Sequence, residues 1–262
     1  MSDAQDLSRS FGRAADVYEA GRPDYPVEAV RWMLEPVVGM APVRVADVGA
    51  GTGKLTRVLR GLGAGVVAVD PDPAMLAALR TAVPGVTTLV GSAEALPLPS
   101  AGEGAGALDA VVLGQAWHWV DPAGASIEAA RVLRPGGVLG LVWNLRDERV
   151  PWVARLTAVM KGSHAEELLA HGGPEVRPPF AGLEEERWSW ERPMTRAALT
   201  AMVRSRSYVI TAGTAERSRI EAEIAELFDE IGAVGDAEVS LPYVTRAFRA
   251  RTPGRGEGRE PT

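Results

Sequence analysis

Short apolar runs alternate with amphipathic stretches through the first 144 residues. "VRVADVG", residues 43–49, is an apolar run closed by Asp47, the pattern of a strand buried on both faces. "KLTRVLRGLG" follows with helical spacing and ends on glycines, as helices do. "GVVAVD" reads as the next strand and ends on Asp70. "DPAMLAALRTAV" is a predicted helix, with Asp72 as its cap and Pro73 in its first turn. "VTTLVGSAEAL" holds a third strand, "LPLPSAGEGAGA" a Pro/Gly-rich loop, and "LDAVVLGQ" a fourth strand. "PAGASIEAARVL" is a helix, "RPGG" a tight turn and "VLGLVWN" a fifth strand. Upstream, residues 14–38 carry helical spacing broken at "GRPDYP", where Pro23 and Pro26 set a turn before "VEAVRWMLEPV" resumes as an amphipathic helix. Strands and helices in this rhythm predict a parallel sheet covered on both faces.

After Asn144 the rhythm fails. Residues 151–172 read as helical, "GGPEVRPPFAG" as a loop and "EEERWSWERPM" as a candidate strand. Helical patterns at 195–210 and 214–232 precede "EVSLPYVTRAF", a candidate last strand. The tail "ARTPGRGEGREPT" has almost no apolar side chains and is expected to be disordered. A chain of 262 residues can bury a sizeable core, as one large domain or a domain with a modest appendage. The formal charge of −6 argues against a general affinity for nucleic acid or anionic membrane. The absence of cysteine excludes disulfides, thiolate catalysis and thiolate metal sites. The acidic N-terminus lacks the apolar core of a secretory signal, and no apolar run approaches the ~18 residues of a membrane span, so a cytoplasmic protein is expected.

Gly49, Gly51 and Gly53 stand between the first strand and its helix, where a backbone without Cβ atoms can approach a ligand beside free helix N–H groups. The dinucleotide fingerprint would need glycine where Lys54 stands, and a P-loop would need a hydroxyl where Leu55 stands, so both are disfavoured. Asp70 follows Gly49 by 21 positions, at the tip of the second strand, where a carboxylate can accept hydrogen bonds from ribose hydroxyls. The turn-rich "DPDP" offers a plainer role, as a cap of the following turn.

Five segments in order carry a resemblance. "DVGAGTG", "VDPDPAML", "GSAEALPLP", "LDAVVLGQAWHWV" and "RVLRPGGVLGLVWN" resemble the successive motifs of class I S-adenosylmethionine-dependent methyltransferases, across residues 43–144. "QAWHWVD" and "YEAGRPDYP" are most similar to the small-molecule enzymes of the trans-aconitate type. The resemblance implies a doubly wound, Rossmann-like, seven-stranded, mostly parallel sheet with an antiparallel last strand and a helical cap over the active site. It divides the chain into an N-terminal lid (1–35), a cofactor-binding core (36–144), a cap and substrate region (145–210), a helix and strand completing the sheet (211–250) and the tail (251–262). The implied cofactor is S-adenosyl-L-methionine, and the implied acceptor a small molecule methylated at O, N or a carboxylate by in-line displacement.

The same resemblance implies the site residues. Gly49, Ala50, Gly51 and Gly53 would lie against the methionine part, with Asp47 positioning its amino group or ordering the loop. Asp70 would hold the ribose, Pro71 pack on the adenine, and Ala93 offer its N–H to the ring. Ser92 stands where the family often has aspartate, which shifts that contact to Glu94 or water. Gln115 and Ala116 would stand near the reactive methyl, while Tyr18 and Arg22 would fold over the cofactor, Arg22 meeting its carboxylate.

Alignment of the nucleophile is the main catalytic requirement, worth roughly 7–11 kcal/mol, and a base is needed only where a proton must leave. His118 is the candidate base, with packing between Trp117 and Trp119 as the plainer role. Trp117 and Trp119 are candidate walls of the acceptor pocket, and Trp143 is read as structural. Arg204 and Arg206 could grip an anionic acceptor or simply face solvent. His164 and His171 lack acids at ligand spacing, so no metal site is expected, and Glu184–Glu186 read as a solvated face. The chain is expected to be a monomer or homodimer. Two rivals share the glycine loop: a cofactor-binding regulatory or scaffold protein without catalysis, and an NAD-dependent oxidoreductase.

Overall fold

Val45, Ala46 and Val48 sit in the centre of a seven-stranded sheet, which explains why this run carries almost no polar side chains. The computed structural model describes residues 22–39, 42–101, 107–204, 208–209 and 212–254. Tyr18, Arg206, the Gly-rich residues 102–106 and the part of the expected disordered tail from 255 onward lie outside the described residues. The start of that tail is ordered instead, since Arg251 ends the last strand and Thr252 is buried with its N–H on the Gly137 carbonyl at 2.9 Å. The elements are α1 (Val27–Leu34), β1 (Arg44–Val48), α2 (Lys54–Gly61), β2 (Gly65–Asp70), α3 (Pro73–Ala82), β3 (Thr87–Val90) and β4 (Leu108–Gly114). They continue as α4 (Pro122–Val132), β5 (Leu133–Arg146), α5 (Pro151–Met160), α6 (His164–Ala170), β6 (Ala181–Thr195), α7 (Arg196–Arg204), α8 (Thr214–Glu230) and β7 (Glu238–Arg251).

The strand order is β3-β2-β1-β4-β5-β7-β6. β1 to β5 run parallel, while β7 is antiparallel to both β5 and β6. The chain winds outward from β1 to β3, then returns to place β4 on the other side of β1. The carboxyl ends of β1 and β4 flank this reversal, the point at which such sheets bind ligands.

Alternation along β5 divides the core. Leu139, Leu141 and Trp143 pack on one face with Trp117, Ala125, Ala129 and Leu169. Val138 and Val142 face the other way, against Met33 of α1 and Leu59 of α2. Gly140 lets α1 approach closely, since a Cβ there would come within 3.1 Å of the Met33 sulfur. A third apolar cluster joins α5, α7 and α8 to Leu241 and Tyr243 of β7. Each fully buried Leu, Ile or Phe contributes about 1.5–3 kcal/mol. Among the described residues no helix is long and apolar enough to cross a membrane.

Two local readings change. "RPGG" lies inside β5, where Leu108 pairs with Leu133 and Ala110 with Val138, so the four residues form a bulge with Gly136 at φ +73°. The helical stretch 151–172 is split into α5 and α6, because Lys161 turns to φ +59° and Ser163 starts a new helix. Ser163 and Glu166 form a reciprocal capping box there.

Candidate active site

The glycine loop is shaped by β2. Gly49 and Ala50 both donate their N–H to the Val69 carbonyl, at 2.8 and 3.1 Å, which bends the chain across the tip of the second strand. Gly49, Gly51 and Gly53 have φ of +67°, +54° and +92°, a region that costs other residues about 1–2 kcal/mol each. Gly51 then donates its N–H to Asp70 Oδ2 at 2.9 Å, and Asp72 donates to Asp70 Oδ1 at 2.8 Å. The loop and the second-strand carboxylate are therefore in direct contact. Burial raises the Asp70 pKa, against the lowering effect of the two N–H groups. Each carboxylate oxygen keeps acceptor capacity for a further donor.

The glycines differ in their surroundings. A Cβ on Gly51 would have nothing within 4 Å, so its backbone faces open space. A Cβ on Gly49 would lie 2.6 Å from Ala116 Cβ. Gly49→Ala is therefore expected to cost about 2–4 kcal/mol, from overpacking plus backbone strain. Urea unfolding checks this, and an unchanged midpoint would contradict the close packing.

Asp47 is wholly buried behind the loop. Its Oδ2 accepts the Thr56 hydroxyl at 2.5 Å, tying β1 to α2, while Oδ1 lacks a hydrogen-bond partner among the described residues. Burial pushes its pKa up to about 7; the Asp70 charge adds to the rise and Thr56 opposes it. Thr56 was not singled out in the sequence, although its place one helical turn beyond the loop is the signal that could have marked it.

Gln115 follows β4 with φ +54°, held by its N–H on the Val142 carbonyl (2.8 Å) and its amide on the Asn144 carbonyl (3.3 Å). A non-glycine residue in that region is strained and common near functional sites. The segment before α1 lies over these strand ends. Asn144 donates to the Asp24 carbonyl at 3.1 Å, and a Cβ on Gly114 would strike the Tyr25 hydroxyl at 2.6 Å. Neither Tyr25 nor Asn144 carried a sequence signal, because their meeting depends on tertiary structure. Asn144 also accepts the Thr245 hydroxyl (2.7 Å), which accepts the Trp190 indole N–H (2.8 Å), so a buried relay links β5, β7 and β6.

On the third-strand side, Pro71 lies in the turn between Asp70 and Asp72, and Ala93 is buried. Ser92 bridges to Ala95, and one Glu94 oxygen accepts the Asp121 N–H at 2.9 Å.

His118 sits in a 3-10 turn, Trp117–Trp119, just past β4. Trp143 donates its indole N–H to His118 Nδ1 at 3.3 Å. The imidazole lies 4.8 Å from the Trp119 ring, and His164 packs edge-on against the same indole at 5.2 Å. Burial lowers the His118 pKa to about 3, aided by Arg22 and His164. Protonating Nδ1 would oppose two donors, which costs about 1–3 kcal/mol for a buried N–H. His118 thus stays neutral at ordinary pH and takes up a proton poorly.

The other candidates are spread out. Trp117 is only 2% exposed, with its N–H on the Glu175 carbonyl at 3.0 Å, whereas Trp119 is half-buried. Arg204 pairs with Glu221 of α8 at 2.9 Å with its side chain 60% exposed. His171 Nδ1 meets the Glu167 carbonyl at 2.8 Å, at the end of α6.

This sheet order, with a glycine loop clasped to a second-strand carboxylate at the reversal point, defines a Rossmann-like nucleoside-binding enzyme. A methyltransferase-domain family profile matches residues 46–141. An uncharacterized methyltransferase of Mycobacterium tuberculosis (strain ATCC 25618 / H37Rv) is 44% identical over 253 residues, covering 94% of this chain and 97% of that protein. An uncharacterized methyltransferase-like protein of Schizosaccharomyces pombe is 32% identical, covering 95% and 97%. Among solved structures, a candidate type II methyltransferase from Anaeromyxobacter dehalogenans superposes with a TM-score of 0.66 at 25% identity, over 89% of this chain and 99% of that one. The chain belongs to the S-adenosylmethionine-dependent methyltransferase family. Its residues suit that cofactor: the open backbone at Gly51, the acceptor capacity left on Asp70 and the unsatisfied buried oxygen of Asp47 match a nucleoside bearing an ammonium group.

Proposed function

We propose that this methyltransferase acts on a small molecule, at an oxygen that already carries its negative charge, such as a carboxylate. The observation that carries this reading is the His118 imidazole, neutral and with Nδ1 occupied by the Trp143 N–H. Such a ring cannot collect a proton from a hydroxyl group, but its Nε2–H can hold an anionic oxygen in line. The positive charge of Arg22, close enough to depress the His118 pKa, favours the same anion.

On this reading Gly49, Ala50, Gly51 and Gly53 hold the methionine part, with Asp47 near its amino group and Asp70 on the ribose. Pro71 packs on the adenine, with Ala93 as a backbone donor. The bound cofactor supplies an electrophilic sulfonium methyl group. Gln115, Ala116 and His118 align the acceptor, and alignment is worth roughly 7–11 kcal/mol when geometry is good. Trp119 forms an apolar wall beside it, and the buried Trp117 supports that wall.

The test is a panel of organic acids, phenols and amines offered with methyl-labelled cofactor. Label transfer to acids above phenols and amines is expected. Transfer confined to phenols or amines rejects the anionic acceptor, and calorimetry showing no cofactor binding rejects the enzyme reading. His118→Phe, which keeps a flat ring and has no donor, is expected to lower kcat by about 10- to 100-fold while leaving cofactor affinity within about threefold, as loss of one hydrogen bond to a charged group would. An unchanged kcat would remove His118 from the site.

A further inference from the structure

We infer that Trp143, a core residue of β5, is a positioning residue that fixes His118 in the tautomer carrying its proton on Nε2. The inference deepens the proposed reading of His118 as a hydrogen-bond donor and rests on it for its functional meaning. It was not visible in the sequence, where Trp143 reads as packing alone.

An indole N–H donates and never accepts, so the ring nitrogen that faces it must present a lone pair. The facing atom is Nδ1, at 3.3 Å. A neutral imidazole with a lone pair at Nδ1 carries its hydrogen at Nε2. Trp143 itself has little freedom. It has no exposed surface, and its ring stands edge-on to Phe248 of β7, with centroids 5.7 Å apart and planes at 82°. The strand alternation that buries Leu141 and Trp143 on one face therefore also aims the indole N–H at the turn after β4. Trp119 packs against the imidazole from the adjoining position, with centroids 4.8 Å apart and planes tilted by 43°, which limits its rotation. Among the described residues, the charged and titratable groups that act on the ring are Arg22, from the segment before α1, and His164, at the start of α6, and both disfavour a second proton. A neutral ring with Nε2–H is suited to donate to an oxygen and unsuited to abstract from one, so Trp143 decides which half of acid–base chemistry His118 can perform.

Nitrogen NMR of protein labelled with 15N-histidine reads the tautomer directly. The chain has three histidines, so His118→Gln, His164→Gln and His171→Gln assign every signal. In the wild type, His118 is expected to show a protonated Nε2 and a bare Nδ1, with no titration between about pH 5 and pH 8. In Trp143→Phe, which keeps an aromatic ring and loses the donor, His118 is expected to populate Nδ1–H, while burial, Arg22 and His164 still keep it neutral across that window. Its kcat should fall about 10- to 100-fold, with affinity for S-adenosylhomocysteine within about threefold of wild type. A wild-type His118 protonated at Nδ1, or one that titrates near its ordinary value, overturns the inference even if the Phe variant does not fold. So does a folded Phe variant with an unchanged tautomer. Failure of the proposed function is separable: no cofactor binding by calorimetry would reject that reading and leave the tautomer measurement standing.

Discussion

Asp70→Ala is expected to weaken binding of S-adenosylhomocysteine by about a hundredfold or more, measured by isothermal titration. The carboxylate holds the Gly51 N–H at 2.9 Å and the Asp72 N–H at 2.8 Å, so it fixes the loop that faces the ligand as well as offering its remaining lone pairs to the ribose. Hydrogen bonds to a charged group contribute about 1.5–3 kcal/mol each, and losing one or two of them accounts for the factor. Asp70→Asn should not rescue it, because one side of an amide donates and would oppose either Gly51 or Asp72. Asp70 is only 7% exposed, so water replaces it poorly in the folded protein. The folded state should survive with a lower midpoint of unfolding, since β1, β2 and their pairing do not depend on this side chain. A dissociation constant within about threefold of wild type would mean that the glycine loop binds without the carboxylate, and the ribose assignment would be lost.

That Gly51 and Asp70 face one ligand site was legible in the sequence, because the loop after β1 and the end of β2 are tips of adjacent parallel strands; their direct hydrogen bond was not. The reversal between β1 and β4 came from the resemblance, which implies a doubly wound sheet, and not from strand patterning. The split between α5 and α6 was missed, although the Ser163 to Glu166 capping box could have marked it, because helical spacing runs on both sides of the break. The bulge formed by "RPGG" was not legible, since a turn and a bulge use the same residues and differ only in what pairs beyond them. Trp143 and His118 stand 25 residues apart on different elements, and which nitrogen meets the indole depends on the packing of β5 against the turn. Arg204 carried two readings in the sequence, an anion grip or a solvent-facing side chain, and in the structure it is exposed and paired with Glu221 of the next helix.

The second large effect concerns pH. Without added cofactor, Asp47 is expected to make the protein lose stability as pH rises from about 4 to about 7. Its carboxyl has an ordinary value of 3.8, and burial raises it to about 7 in the folded chain. Between these values the folded state keeps a proton that the unfolded state has released. Each pH unit in that window then favours unfolding by about 1.4 kcal/mol, on the order of 4 kcal/mol across it. Below the window both states are protonated, and above it both are ionised, so the slope ends. Asp70, also raised by burial, pulls the same way. Glu128, Asp147 and Glu185 have lowered values and pull the opposite way at lower pH, so the measurement is the difference between wild type and Asp47→Asn. Urea midpoints of wild type should fall relative to Asp47→Asn as pH rises through the window, and parallel curves would mean that Asp47 is ionised throughout. Saturating S-adenosylhomocysteine should flatten the wild-type curve, because an ammonium group beside the unpartnered Oδ1 favours the ionised carboxylate. Calorimetry near pH 7 in buffers of different ionisation enthalpy should then show proton release on binding by wild type and less by the Asn variant. Equal proton release by both would place the amino group away from Asp47 and leave that residue to Thr56 and the loop alone.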